Sequence, residues 1–317
     1  MNTLQNNLPR GGTELQLEFL QKHIDKSLLD KFQICTSVPG KVPIDPSKIN
    51  ILWQKNSYDQ ANLVDWFKDK TKHNIYDWYV FNSHWNYEQF RFFYDLPTHK
   101  CVVIKNGIPK LKLKETFYKE GDPIKLIFHP TPWRGLNVML AAMQKVTNPL
   151  ITCDVYSSTQ VYGDDFAKAN DAQWQPLYEQ AKELPNVNYI GYKPNEYILE
   201  NLHKYDAFVY PNIWEETFCI SALESLAVGL FTVLTDNGAL YETGAEFPTY
   251  IPMEKDYVRL AEQTAGAINS LPDQLKQDGC KIHLKFQQKY FNHFYAWDRV
   301  AFHWNNFLQG ALNARSK

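Results

Sequence analysis

Apolar positions along this chain follow two rhythms. Short runs rich in β-branched and aromatic residues recur: QICTSV (33–38), INILWQ (49–54), WYVFN (78–82) and CVVIK (101–105) in the first third. A second series follows, with IKLIFH (124–129), ITCDVY (151–156), VNYIGY (187–192), AFVYP (207–211) and FTVLT (231–235). Runs of this length and composition predict buried strands. Longer stretches with helical spacing lie between them, such as GLNVMLAAMQKV (135–146) and EYILENLHKY (196–205). Strands alternating with helices predict parallel sheets built from strand–helix–strand units.

The rhythm breaks after NGIP (106–109). KLKLKETFYKEGDP (110–123) keeps no steady period and ends in Gly-Asp-Pro, as a connector does. The pattern therefore divides into a first domain over 1–110, a connector over 111–122, a second domain over 123–290 and a terminal stretch over 291–317. In the last, Trp297, Ala301, Trp304, Leu308 and Leu312 fall at helical spacing. So aromatic a helix must bury its stripe, and it is expected to pack back toward the first domain. The expected fold class is α/β: two doubly wound, Rossmann-like domains facing across a cleft. The first domain looks pared down. GGTELQLEFLQKHI (11–24) reads as a glycine turn feeding a helix, a turn that usually follows a strand, yet MNTLQNNLPR before it makes a poor one.

Composition sharpens this picture. A length of 317 residues suits two domains, and 44% hydrophobic with 15% aromatic residues fills sizeable cores. The net charge of −2, with Lys and Arg scattered, argues against a nucleic-acid partner. The 5 cysteines are odd in number, far apart and without CxxC spacing, so they predict free thiols in a reducing, cytoplasmic setting. No apolar run approaches the roughly 18–20 residues of a membrane span, so any membrane association would be peripheral. The polar N-terminus lacks the apolar core of a signal peptide.

Three stretches carry candidate chemistry. NIWEETFCISALES (212–225) follows a strand ending at Pro211; its helix is expected to begin near Thr217 or Phe218 and to end at Gly229. Thr217, Ser221, Glu224 and Ser225 form one polar stripe on that helix. Such a stripe is either an ordinary solvated face or a cleft wall that grips sugar hydroxyls. Glu216 has its own plain explanation, as an acid complementing the helix dipole. In FHPTPWRGLNVMLAA (128–142) a strand end leads through a proline-flanked loop to Arg134-Gly135, where arginine can meet a phosphate in bidentate fashion. His129 reads as a structural strand-end histidine more readily than as a catalytic one. The Gly11-Gly12-Thr13 turn is either a plain helix start or a backbone approach to a diphosphate.

Together these pieces resemble the retaining nucleotide-sugar glycosyltransferases of family four, which have the GT-B fold. Their E-x7-E signature corresponds to Glu216 through Glu224, followed by SLAVGLFTVLTDNGALYE (225–242) and preceded by YIGYKPNEYILENLHKYDAFVYPNIWEE (189–216). VVIKNGIP (102–109), WRGL and the GGTE turn are also similar to that family. The resemblance implies a nucleotide-sugar donor, UDP- or GDP-linked, a glycan or glycoconjugate acceptor, and no metal or other cofactor; the chain contains no DxD sequence. It implies that Glu216 lies by the transferred sugar and that Glu224 accepts from ribose hydroxyls. Arg134 would neutralise the leaving diphosphate with help from Gly12. The amides of Phe218, Cys219 and Ile220 would face phosphate or sugar, and Tyr192 and Lys193 would border the base. His84, in FNSHWN, is the candidate for an acceptor-side histidine. The chain departs from the family at Cys219, where glycine is frequent, and at His129, where a second basic residue often stands. Two other functions fit less of the pattern: a non-catalytic sugar-nucleotide or glycan-binding module, and a GT-B sugar-nucleotide epimerase.

Overall fold

A computed structural model describes residues 11–315. The question of a strand before the first glycine turn falls on residues 1–10, outside the described residues. The chain forms two units. The first comprises Gly12–Pro109, the segment Glu215–Ile220 and the chain from His293; the second comprises Lys110–Trp214 and Ser221–Asn292.

The first unit is built on four parallel strands, β1 (Phe32–Thr36), β2 (Ile49–Gln54), β3 (Trp78–Phe81) and β4 (Cys101–Val103), in the order β1-β2-β3-β4. All six residues of β2 are buried. Side chains alternate across a strand, and β2 shows it. Ile49, Ile51 and Trp53 enter one core with Leu20 and Ile24, whereas Leu52 enters another with Leu63, Phe67 and Phe90. The terminal helix Trp297–Arg315 closes the first of these cores, with Trp297, Val300, Ala301, Trp304, Leu308 and Ala311 buried. Its Trp304 meets Trp53 edge-on, ring centroids 4.7 Å apart. The aromatic stretch 76–94 is largely core, since Tyr76, Tyr79, Phe81 and Phe90 are buried; Phe92 and Phe93 are exposed.

The second unit holds six parallel strands: β5 (Ile124–Phe128), β6 (Ile151–Val155), β7 (Val187–Tyr189), β8 (Ala207–Tyr210), β9 (Phe231–Thr235) and β10 (Thr249–Ile251). Their order is β10-β9-β8-β5-β6-β7. Counted within the sheet this is 3-2-1-4-5-6, the Rossmann order, and it reverses direction between β5 and β8. The central strands are buried on both faces, which is why their sequences read as continuous apolar runs. The strand expected over 187–192 stops at Tyr189, because Ile190 N and Gly191 N both turn to Val155 O. β10 was not expected from the sequence; three residues are too few to show a period.

Residues 110–123 contain no regular element but are pinned to the second unit. Lys114 N donates to Val228 O, and the buried Lys114 ammonium meets Asp206 at 2.9 Å and Tyr205 O at 2.8 Å. All five cysteines are free thiols. Among the described residues no helix is long and apolar enough to cross a membrane.

Candidate functional site

Ligands of open parallel sheets bind outside the carboxyl ends of the strands, where the strand order reverses. In the second unit the loops after β5 and β8 leave from that point. β5 ends at Phe128, and His129 follows with its ring against Phe208 (5.2 Å between centroids). Burial pushes the His129 pKa down to about 4, so the ring is neutral at neutral pH. It therefore supplies no second positive charge beside Arg134.

The chain then makes a 3₁₀ turn, Pro132–Arg134, in which Arg134 N donates to Thr131 O. Arg134 closes this turn rather than opening the helix; the helix runs Leu136–Met143 behind Gly135. Gly135 has φ 109°, and a Cβ there would sit 2.3 Å from Pro211 O. Only glycine lets the β5 loop lie against the β8 loop.

After Pro211 the β8 loop is tied internally. Asn212 Oδ1 accepts from Trp214 N at 2.8 Å, its amide donates to Trp214 O, and its own carbonyl accepts from Thr235 Oγ1. The helix of the acidic motif is Ile220–Val228, two to three residues later than its expected start. The cause lies in Thr217. Its hydroxyl donates to Lys55 O (2.8 Å) and accepts from Asn82 Nδ2 (3.1 Å), so Glu215–Ile220 belongs to the first unit and cannot wind on. Phe218 and Cys219 thus precede the helix; both are buried, and Phe218 lies 6.3 Å from the Tyr295 ring. Glu216 is buried, while Glu215 is half-exposed, its carboxyl raised by burial and by Asp59.

The solvated-face reading of the helix fails. Ala222 through Val228 are all buried, and Glu224 is 3% exposed. Burial raises the Glu224 carboxyl to about 8, against a lowering hydrogen bond from the Asn195 side chain. Asn195 is the first residue of the helix Asn195–Asn201. Sequence reasoning missed it, although a Pro-Asn pair at a helix start was a visible cue. Tyr192 and Lys193 precede that helix and are exposed; the Lys193 ammonium lies 5.5 Å above the Tyr197 ring.

In the first unit Gly12 opens the helix Gly12–His23, and a Cβ on it would come within 3.0 Å of Ile220 Cδ1. His84 opens the helix His84–Tyr94 behind the cap Ser83 and is exposed. Lys55 was not anticipated. It is a buried cation just past β2, donating to Asn106 Oδ1 at 2.7 Å and lying 3.7 Å over the Trp53 ring. Burial depresses its pKa well below the lysine range, with Glu14 opposing.

The structure thus brings Arg134, Gly135 and the β8 loop together, and joins Glu224 to Asn195, within the second unit. Gly12, Lys55, Thr217 and Phe218 belong to the first. Among the described residues no cluster of three or more His, Cys, Asp or Glu is placed to hold a metal ion.

Residues 121–268 match the family described as Glycosyl transferases group 1. No curated protein sequence matches the chain. Among solved structures it is similar to a glycosyltransferase from Rickettsia africae ESF-5, with a TM-score of 0.67, 13% identity, and coverage of 98% of this chain and 84% of that one. It is also similar to Anabaena HepE in complex with UDP-glucose (TM-score 0.65, 14% identity, 83% and 72% covered). A third likeness is the pneumococcal O-GlcNAc transferase GtfA in complex with UDP and GlcNAc (TM-score 0.63, 11% identity, 94% and 60% covered). The two Rossmann-like α/β units are those of the GT-B fold.

Proposed function

We propose that the protein is a retaining glycosyltransferase that moves a hexose from a UDP- or GDP-sugar to a glycan, lipid-linked or protein-linked acceptor without a bound metal. One observation carries this reading. At the strand-order reversal of the second sheet, the β5 loop delivers Arg134 beside a glycine that must stay bare, and the chain beyond β8 delivers the buried Glu224. The glycosyltransferase-family match spans both loops. The solved complexes of similar fold with UDP and UDP-glucose make UDP-sugars the first donors to test.

The chemistry follows from charge. Breaking the anomeric C–O bond leaves a diphosphate with growing negative charge. A fixed guanidinium at Arg134 and backbone N–H groups at a helix start stabilise that charge, and more strongly where water is excluded. The neutral His129 leaves Arg134 as the cation of the β5 loop. Gly12 adds its amide, and the amides of Phe218, Cys219 and Ile220 face phosphate or sugar. Glu224 receives the ribose; protonated at neutral pH, its carboxyl both donates to and accepts from a hydroxyl pair. Glu216 holds the transferred sugar, Tyr192 and Lys193 border the base, and His84 serves the acceptor side. The leaving phosphate oxygen takes the acceptor proton on the face it departs from, so retention needs no protein nucleophile.

The test is a panel of UDP-, GDP- and ADP-sugars with glycan and lipid acceptors, reading nucleotide diphosphate release and the product anomer by NMR, with and without EDTA. Release with a retained anomer, unaffected by EDTA, is expected. Binding without release would leave the non-catalytic module, and an altered sugar without release would point to the epimerase.

A further inference from the structure

The amino ends of the strands in the second sheet carry a separate feature. Asp206 precedes β8, and its Oδ2 accepts from Lys125 N in β5, which marks the amino ends of the strands. The five residues of β5 separate this edge from the Arg134 loop by roughly 16 Å. Here a hollow of about 520 Å³ opens between residues 110–112 and the end of the Asn195–Asn201 helix with the turn that follows it. Its lining includes Lys110, Lys112, Lys204 and His203, with Glu200 as the sole carboxylate. An adjoining hollow of about 250 Å³ shares His203 and Lys204 and is lined as well by Lys114, Asp122 and Asp206.

Among the described residues, no ion pair involves Lys110, Lys112 or Lys204; Lys204 donates only to the neutral Asn201 Oδ1, at 2.6 Å. Burial, followed by Lys112 and Lys204 and then more weakly Lys114, holds the His203 ring below its ordinary pKa, so several ammonium groups act on one point. Within the lining Leu111 is buried; Lys114, which lines the adjoining hollow, is locked to Asp206 and Tyr205 O, and its carbonyl accepts from Gln288 Nε2. Lys112 and Lys204 are exposed on the two sides of this concave wall, and both act on His203.

We infer that this hollow binds a phosphate-bearing anion at a site separate from the nucleotide-sugar site. Lysine binds phosphate as a point charge, and several such charges around one hollow suit a diphosphate or phosphomonoester better than a monovalent carboxylate. The volume is that of a small-ligand pocket, and the concave shape suits a single anionic group rather than a flat charged surface. The same chemistry is carried by a free metabolite or by a phospholipid headgroup.

Isothermal titration with inorganic pyrophosphate, with saturating UDP present and ionic strength held constant with sodium chloride, tests this. Binding to the wild type is expected, unchanged in Arg134→Ala and weakened about tenfold or more in Lys112→Ala/Lys204→Ala, the scale of losing charge-assisted hydrogen bonds. Both lysines are exposed, so the double variant should keep the wild-type melting temperature. Equal affinity in the double variant, or loss in Arg134→Ala instead, would overturn the site. Sedimentation with phosphatidylglycerol vesicles identifies the source. Capture that pyrophosphate displaces and the double variant lacks assigns the headgroup, and pyrophosphate binding without capture assigns a free metabolite. Absence of both in the wild type overturns the proposal.

Discussion

Burial raises the Glu224 carboxyl, so it holds its proton to a higher pH than an ordinary glutamate. Its folded value of about 8 stands against 4.5 for an ordinary glutamate. Between those values the unfolded chain releases the proton and the folded chain retains it, so this contribution is fully present below the lower value and is lost as pH rises through the upper one. Glu224→Gln removes the dependence. In denaturant unfolding the wild type should lose a few kcal/mol relative to the variant between about pH 5 and about pH 8, at roughly 1.4 kcal/mol per pH unit; parallel profiles would contradict the burial argument. His129 has the opposite sign, its contribution present above 6.5 and lost as pH falls through about 4. In the proposed reaction the cation that meets the leaving group is Arg134. Arg134→Ala should lower turnover about 100-fold or more, since leaving-group charge loses its fixed cation; near-wild-type turnover in the donor assay would refute the phosphate role. Gly135→Ala forces a Cβ to 2.3 Å from Pro211 O in a left-handed backbone. It should destabilise the second unit by about 2 kcal/mol or more, read as a lowered melting temperature.

The helix Ile220–Val228 carries Glu224, and its far end shows how it is held. Its last carbonyls have no partner within the helix, and side chains of the helix Asp278–Tyr295 supply donors. Gln287 Nε2 donates to Leu226 O and Leu230 O, Gln288 Nε2 to Val228 O and Lys114 O, and Asn292 Nδ2 to Ala227 O. Gln288→Ala strips two buried carbonyls of a donor and should cost about 2–4 kcal/mol in equilibrium unfolding; a change below about 0.5 kcal/mol would show that water replaces it. The existence of this helix and its stop at Gly229 were legible in the sequence, because the apolar run and the glycine are local signals. Its start was not. Thr217 has neutral helix character, and the carbonyl that captures it belongs to Lys55, 162 residues away. The burial of Glu224 and Ser225 was equally illegible, since at the same spacing they could face water or cover. The Arg134-Gly135 turn lay between these cases: the glycine was visible, but its reason, the Pro211 carbonyl, is a contact between two loops.

The molecule is two parallel-sheet units, and the chain ends by completing the core of the first. Trp304 is fully buried against Trp53. Trp304→Ala should cost about 3–5 kcal/mol. Hydrogen exchange should show amides of β1 to β4 losing protection while those of β5 to β10 keep theirs; equal loss in both sheets would mean that the units unfold as one. The sequence by itself determined the α/β class and the alternation of strands and helices. These follow from period, length and Gly/Pro punctuation, all of which act over a few residues. Only the tertiary structure decided the strand order with its reversal between β5 and β8, the burial that keeps Glu224 protonated, the buried Lys55, and the lysines gathered around His203. Each depends on distant segments meeting, and the dielectric and charge around a side chain are set by whatever folds against it.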